Sequence, residues 1–197
     1  MSLVINGSGS ITGLAVGGLP DGTVDSGTLP TNSVDSAELI DGSIDTAHIA
    51  ANQITSAIVP TGSSVQVVQT TSNTQTVIGT SFTACAPTVA ITPSSSSNKI
   101  LVRFNMGGMV NGTLNEVRLQ IKRGSTVIKK SLRYGYNSNA SSGWASCPIT
   151  YEMLDSPSTT SATTYTLEAM KQTSGSFEIN SAGGSDSGTA IATEIKG

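Results

Sequence analysis

The sequence predicts an all-β protein, with a thin N-terminal repeat shaft followed by a C-terminal β-sandwich of the jelly-roll kind. Only 12% of the 197 residues are charged and 4% are aromatic, while Ser, Thr, Gly and Asn are abundant. Residues 21–60 repeat with a period of ten. From about residue 64, short runs alternate apolar and polar side chains between turn clusters, as half-buried strands do. We therefore expect an N-terminal segment (1–20), a shaft (21–62) and a sandwich (63–197).

The shaft consists of four aligned decapeptides, DGTVDSGTLP, TNSVDSAELI, DGSIDTAHIA and ANQITSAIVP. Positions 4 and 9 of each are apolar, so an apolar anchor recurs every five residues. Position 2 is Gly or Asn, which tolerate positive φ and predict a turn. In the first three units, Asp followed by Ser or Thr at positions 5 and 6 is typical of a helix N-cap. The eight anchors are Val24, Leu29, Val34, Leu39, Ile44, Ile49, Ile54 and Val59.

A spacing of five fits no regular element. On an α-helix, successive anchors would lie about 140° apart around the axis, and on a strand they would alternate between faces. One apolar residue in five is too thin for a core within one chain. A β-solenoid would supply neighbours by stacking, but this stretch gives only about two coils, and Pro30 and Pro60 remove backbone donors. We therefore expect an intertwined homotrimer. A linker with chance periodicity is the plain alternative.

The rest of the chain predicts about ten short strands. In EVRLQIKRG, alternation places Val117, Leu119 and Ile121 on one face and polar side chains on the other. Turn clusters such as TPSSSSNK and SAGGSDSG separate the runs. This spacing of strands and turns predicts a sandwich of the jelly-roll kind. The runs are SVQVVQT, TVIGTSFTA, TVAITP, KILVRFNM, EVRLQIKRG, TVIKKSLRY, ASCPITYEML, TTYTLEAM, SFEIN and TAIATEIKG.

The sequence contains no recognisable catalytic set. It has one histidine, His48, and two distant cysteines, Cys85 and Cys147, which we expect to be free and half-buried on strands. Most acids after residue 61 alternate along predicted strands, where a solvated outer face is expected. We expect no enzyme activity, metal or cofactor, although paired carboxylates of the glycosidase type stay open. The chain has neither an eighteen-residue apolar run nor a signal-like start, so we expect no membrane insertion.

Six of the ten basic residues lie between positions 118 and 133. We expect them on one hairpin around RGST. A polar outer strand face accounts for them; the functional alternative is a patch for an anionic glycan or another protein. Nucleic acid is not an expected partner, because aromatic residues are scarce and the net charge is -3. The candidate patch comprises Arg118, Lys122, Arg123, Lys129, Lys130 and Arg133.

The segment RYGYNSNASSGW, residues 133–144, gathers two of the four tyrosines and the only tryptophan among Ser, Asn and Gly. Exposed aromatic rings beside Asn and Ser suit stacking on a sugar or contact with a protein. The alternative is that the rings pack inward at the edge of the sandwich. The candidate receptor contacts are Tyr134, Tyr136, Asn137, Asn139 and Trp144.

Taken in order, several segments resemble those of short tail fibre proteins of tailed bacteriophages of the aquatic type. The segments are SLVINGSGSITGL, DGSIDTAHIA, SVQVVQT, ITPSSSSNKILV, LDSPSTTSATTYTL and TAIATEIKG, which together span nearly the whole chain. The resemblance implies a homotrimeric fibre at the virion tail or baseplate, assembled in the bacterial host cytoplasm. Residues 1–20 would attach to another virion protein, and the distal head would contact a host-surface glycan or protein.

Members of this family do not share a receptor, so the resemblance transfers no binding residue. Two other functions stay open at this point. A capsid decoration or head fibre protein would use the same fold with a different attachment of residues 1–20. A tailspike-like polysaccharide depolymerase would need a groove with paired carboxylates in the C-terminal half.

Overall fold

A computed structural model of the chain describes residues 4–5, 11–12, 44, 49, 53–55, 58–111, 114–131, 135–137, 144–172, 175–180 and 187–197. Across these ranges the regular elements are β-strands, and every pairing is antiparallel. The chain divides into two units, Met1–Gln53 and Ile54–Gly197. In the first unit, β1 (Val4–Ile5) pairs with β2 (Ile11–Thr12).

The second unit contains the remaining described strands. They are β3 (Ser64–Ser72), β4 (Thr76–Val77), β5 (Thr83–Ile91), β6 (Lys99–Met106), β7 (Gly108–Asn111), β8 (Leu114–Arg123), β9 (Thr126–Lys130), β10 (Gly135–Asn137), β11 (Trp144–Ser146), β12 (Ile149–Asp155), β13 (Thr163–Lys171), β14 (Ser176–Ile179) and β15 (Gly188–Ile195). Most predicted runs coincide with strands, because they carry the period-two alternation that a half-buried strand requires. The run TVIGTSFTA does not form one strand, since residues 78–82 lie between β4 and β5, and β7 lies outside the predicted runs.

Three sheets build this unit. One has the order β12–β6–β15–β3, and another has the order β10–β8–β13–β5, with β9 also paired to β8. The third has the order β11–β7–β14–β4. Each of its strands is next in the chain to the strand at the same position of the first sheet. Side-chain hydrogen bonds link the sheet edges. Thr70 Oγ1 donates to the carbonyl of Thr88 on one side, and Lys129 Nζ donates to the carbonyl of Glu152 on the other.

The core lies between the facing sheets. Val117, Leu119 and Ile121 are all fully buried, which confirms the inward face predicted for β8. Tyr165 on β13, Phe104 on β6 and Phe177 on β14 are the largest fully buried side chains among the described residues. On β6 and on β13, the residues that alternate with the buried ones are half-buried or exposed. The second unit is therefore an all-β, antiparallel structure with the layering of a β-sandwich.

The register defines two ends of the sandwich. Residues 60–63 lead into β3 where the N–H of Gly62 donates to the carbonyl of Lys196, at 2.8 Å. The β8–β9 turn lies at this same end, since Arg123 binds Asp155, the last residue of β12. We call this the proximal end. At the opposite, distal end, β7 finishes at Asn111 and β8 begins.

Both cysteines are free. Cys85 is fully buried on β5 rather than half-buried as expected, and burial raises the pKa of its thiol to about 12. Cys147 is half-buried as expected, although it follows β11 rather than lying within a strand. No helix in the described part of the chain is long and apolar enough to cross a membrane.

Candidate functional site

The shaft anchors that the structure describes are largely uncovered. Ile44, Ile49 and Ile54 expose 50%, 39% and 57% of their surface, and Val59 is half-buried. Aliphatic side chains this exposed lack the apolar neighbours that a core would supply. These values are those of a single chain, and the role of the anchors at a trimer axis stays a prediction. The other predicted anchors, Val24, Leu29, Val34 and Leu39, lie outside the described residues.

The aromatic segment is flanked by two strands that belong to different sheets. Tyr134 and Asn139 lie outside the described residues, while Tyr136, Asn137 and Trp144 are described through their backbone. β10 pairs with β8, and β11 pairs with β7. The segment therefore connects the β10–β8–β13–β5 sheet to the β11–β7–β14–β4 sheet.

The register locates these two strands at the distal end. Asn137 pairs with Leu114, and Trp144 pairs with Asn111. Leu114 and Asn111 stand on either side of the β7–β8 connection. The backbones that carry Tyr136 and Trp144 thus reach the end of the sandwich opposite to the one where residues 60–63 enter it.

The predicted basic hairpin is present, with β8 and β9 paired around a turn at Gly124, whose φ is +54°. Alternation along β8 sends Arg118 and Lys122 to the outer face. There Arg118 binds Glu116, and Lys122 Nζ lies 3.2 Å from Glu168. Lys130 is exposed at the end of β9, and Arg133 lies outside the described residues.

The other two bases of the hairpin turn toward the edge of the sandwich. Nη1 of Arg123 lies 3.0 and 2.9 Å from the two carboxylate oxygens of Asp155. Nζ of Lys129 donates to the carbonyl of Glu152 at 2.6 Å and stands 4.4 Å from the centre of the Tyr151 ring. The predicted basic residues that the structure describes therefore lie partly on the outer face and partly at the edge of the sandwich. Three of them, Arg118, Lys122 and Arg123, form an ion pair with a carboxylate.

Asp155 is the centre of a buried polar group at the proximal end. Besides Arg123, it accepts a 2.8 Å hydrogen bond from the hydroxyl of Tyr165. Burial raises the pKa of Tyr165, and the neighbouring carboxylate raises it further. Asp155 itself is buried, unlike the solvated acid that its strand position had led us to expect. It serves as an acceptor that fixes β8, β12 and β13 together.

Glu194 on β15 is a second acid for which the predicted solvated position is wrong. It is fully buried. It accepts hydrogen bonds from Asn98 Nδ2 at 2.6 Å, from the N–H and hydroxyl of Ser94 at 2.7 and 2.9 Å, and from Gln66. Burial by itself raises the pKa of Glu194, but these donors outweigh it and hold the pKa below its ordinary value.

A signal for Glu194 was present in the sequence. Ala190 and Ala192 point into the core, so the same period-two alternation places Glu194 inward too. The three residues that donate to its carboxylate come from β3 and the β5–β6 loop, far away along the chain. These long-range partners are what the sequence alone does not display.

A shallow hollow of about 340 Å³ opens at the proximal end. Its size is at the lower limit for small-molecule sites. The only charged side chain that lines it, Arg123, is already held by Asp155, so the hollow presents mainly hydroxyl and backbone groups. The lining residues are Arg123, Gly124, Pro157, Thr159, Ala162, Thr163 and Thr164. Among the described residues, no group of three or more His, Cys, Asp or Glu is placed to hold a metal ion.

No family model and no curated protein matches the chain. Among solved structures, the chain is similar to one in the structure of infectious bursal disease virus Gx strain, with 12% identity, a TM-score of 0.34, and coverage of 67% of this chain and 37% of that one. For T=1 particles derived from infectious bursal virus, the values are 10%, 0.33, 66% and 36%. For the Gt strain of the virus, they are 13%, 0.27, 70% and 37%. The chain thus spans little more than a third of the length of these viral chains, and likeness at this level carries no functional argument.

Proposed function

We propose that the protein is a structural virion component, a homotrimeric phage tail fibre whose distal sandwich end contacts the host surface. The observation that carries this proposal is the register of β10 and β11. It separates the strands that carry Tyr136 and Trp144 from the proximal end, where residues 60–63 enter the sandwich. A fibre needs this polarity, with its attachment at one end and its contact surface at the other.

The exposed anchors support the trimeric shaft in this proposal. Three chains around one axis would bring the exposed faces of Ile44, Ile49 and Ile54 against one another. Apolar surface removed from water in this way contributes about 25 cal/mol per Å². Three linked heads would also present three identical contact surfaces, so that weak single contacts add to strong adsorption.

The head half of the proposal draws on the strand order. If β3, β5, β6, β8, β9, β12, β13 and β15 are counted as strands one to eight, the two main sheets have the orders 1-8-3-6 and 2-7-4-5. Two nested Greek keys give this order, which supports the jelly-roll topology expected from the sequence. Such a scaffold holds its end loops rigidly, and binding residues on many β-sandwiches lie in such loops.

The depolymerase alternative gains nothing from the described acids. Glu152, Asp155 and Glu168 each form an ion pair with a neighbouring base, and Glu194 is fully enclosed by donors. These carboxylates are engaged in holding the sandwich together. The capsid alternative shares the fold, so it is separated from the tail fibre by location on the virion.

The contact surface is tested by binding of the purified full-length chain to host cells. We expect Trp144→Ala and Tyr136→Ala each to weaken binding by about tenfold or more, since aromatic anchors dominate such interfaces. Thr126→Ala, an exposed change at the proximal end, is the matched control. Unchanged binding by both aromatic variants, with unchanged thermal stability, would overturn the assignment of the distal end.

Location is tested by immunogold electron microscopy of virions with an antibody against residues 63–197. Gold at the tail or baseplate is the expected result. Gold over the head would make the protein a capsid decoration or head fibre protein instead. Virions without label would contradict a virion role.

A further inference from the structure

The outer face of the β12–β6–β15–β3 sheet carries an apolar patch near the proximal end, made of Val67, Leu101, Leu154, Ile191 and Ile195. We infer that this patch is the surface through which the sandwich of one copy contacts the sandwich of a second copy. The inference rests on the proposed trimer and adds to it the face that meets the neighbour.

The patch follows from alternation on the four strands. Ile100, Val102 and Phe104 on β6 are fully buried, so Leu101 faces outward. Register then aligns a single row across the sheet. Thr193 pairs with Val67 on one side and with Leu101 on the other, and Leu101 pairs with Leu154.

The row is exposed to an extent that is unusual for aliphatic side chains. Val67 exposes 62% of its surface and Leu154 exposes 50%, while Leu101 is half-buried between them. On β15, Ile191 and Ile195 flank Thr193 on the same face, and both are half-buried. Contiguous apolar patches of this kind mark interaction surfaces rather than ordinary solvated faces.

The charges beside the patch favour a second copy as the occupant. The next row of the face contains one cation and one anion, Arg103 and Glu152, joined at 2.7 Å with 46% and 49% of their side chains exposed. The exposed Lys99, which pairs with Ile195 on the other side of the patch, adds a second cation to this face. A surface that carries charges of both signs can set the anion of one copy against a cation of the next. Two copies packed through this face would place the Glu152 of one near the Arg103 or the Lys99 of the other.

The area of the patch also favours a tethered copy. Four strands spaced by about 4.8 Å and three rows spaced by about 7 Å cover roughly 400 Å². A stable complex between free partners buries about 800 Å² on each side, so this patch alone would hold a free protein weakly. A copy joined through the same shaft is present at millimolar effective concentration, where a small interface suffices. Val67 is seven residues from Pro60, within about 25 Å of it along the chain.

The test is photo-cross-linking of the full-length chain at micromolar concentration. A benzophenone amino acid is placed at Val67 or at Leu154, and in a matched control at Val127, an exposed aliphatic residue of β9 on the other sheet. We expect covalent dimers and trimers from the first two positions, and at least fivefold less from Val127. Light scattering on the same samples gives the mass before irradiation.

The two proposals fail in different ways. A trimeric mass with no more cross-linking at Val67 and Leu154 than at Val127 would overturn the interface and leave the trimer standing. A monomeric mass would overturn both. Carbene footprinting of the unmodified chain avoids any effect of the introduced residue on folding. Val67 and Leu154 should be labelled less than Val127, although in the single chain they are the more exposed, and stronger labelling would overturn the interface.

Discussion

The carboxylate of Glu194 accepts a 2.6 Å hydrogen bond from the side-chain amide of Asn98, and no part of Glu194 reaches solvent. This bond ties the last strand to the loop that precedes β6. Asn98 also accepts a hydrogen bond from the N–H of Gly197 at 3.1 Å, so the chain end is held by the same residue. The proximal end of the sandwich is therefore fixed around one buried charge.

Removal of the Asn98 amide should destabilise the sandwich. We expect Asn98→Ala to lower the free energy of unfolding by about 1.5–3 kcal/mol, because it takes a donor away from a buried carboxylate. Urea unfolding at pH 7 measures the change. Ser96→Ala, in the same loop but exposed, is the control and should change it by less than about 0.5 kcal/mol. Equal effects of the two changes would contradict the assigned role of Asn98.

Glu194 should also make the protein sensitive to acid. Its folded pKa lies below the ordinary value of 4.5, so the unfolded chain takes up the proton first as the pH falls. Stability from this group is complete above about pH 5 and is lost as the pH falls through the folded pKa. We expect the free energy of unfolding to fall more steeply between about pH 5 and pH 3 in the natural chain than in Glu194→Gln. Parallel pH curves from urea titrations would refute this.

Asp155 and Glu152 lie on the same strand and each forms an ion pair, but they should differ in how much they contribute to the free energy of unfolding. Asp155 is buried and binds both Arg123 and Tyr165, so Asp155→Ala should cost about 3 kcal/mol or more. Glu152 forms an exposed pair with Arg103, and Glu152→Ala should cost no more than about 1 kcal/mol. Thermal unfolding at neutral pH compares them. A larger effect at Glu152 would be inconsistent with this account.

Gly108 should not tolerate a side chain. A Cβ there would lie 2.3 Å from the carbonyl oxygen of Cys147, a backbone atom that cannot move away easily. The N–H of Cys147 donates to the carbonyl of Gly108 at 2.6 Å, which fixes this close approach. We expect Gly108→Ala to lower stability by about 1–3 kcal/mol. At Gly79 a Cβ would meet nothing within 4 Å, so Gly79→Ala is the control, and similar melting temperatures for the two variants would count against the crowding.

The strands and the inward face of β8 were predictable because alternation is a local property. Val117, Leu119 and Ile121 show it within five residues. Extended by two residues along each strand, the same rule places Arg123 on the side of Asp155, as it does Ile121 on the side of the core. It likewise places Glu194 inward toward Asn98. The pairing of β10 with β8 and of β11 with β7 was not predictable, because strand partners depend on contacts far apart in sequence. That pairing is what locates the backbones of Tyr136 and Trp144 at the distal end.

The measurement that tests the central claim most directly is the solution mass of the full-length chain by light scattering at micromolar concentration. Because the anchors Ile44, Ile49 and Ile54 are exposed in a single chain, three chains should associate. The predicted mass is about 60 kDa, three times the 20.0 kDa of one chain. A mass of one chain would contradict the shared shaft and the trimeric fibre built on it.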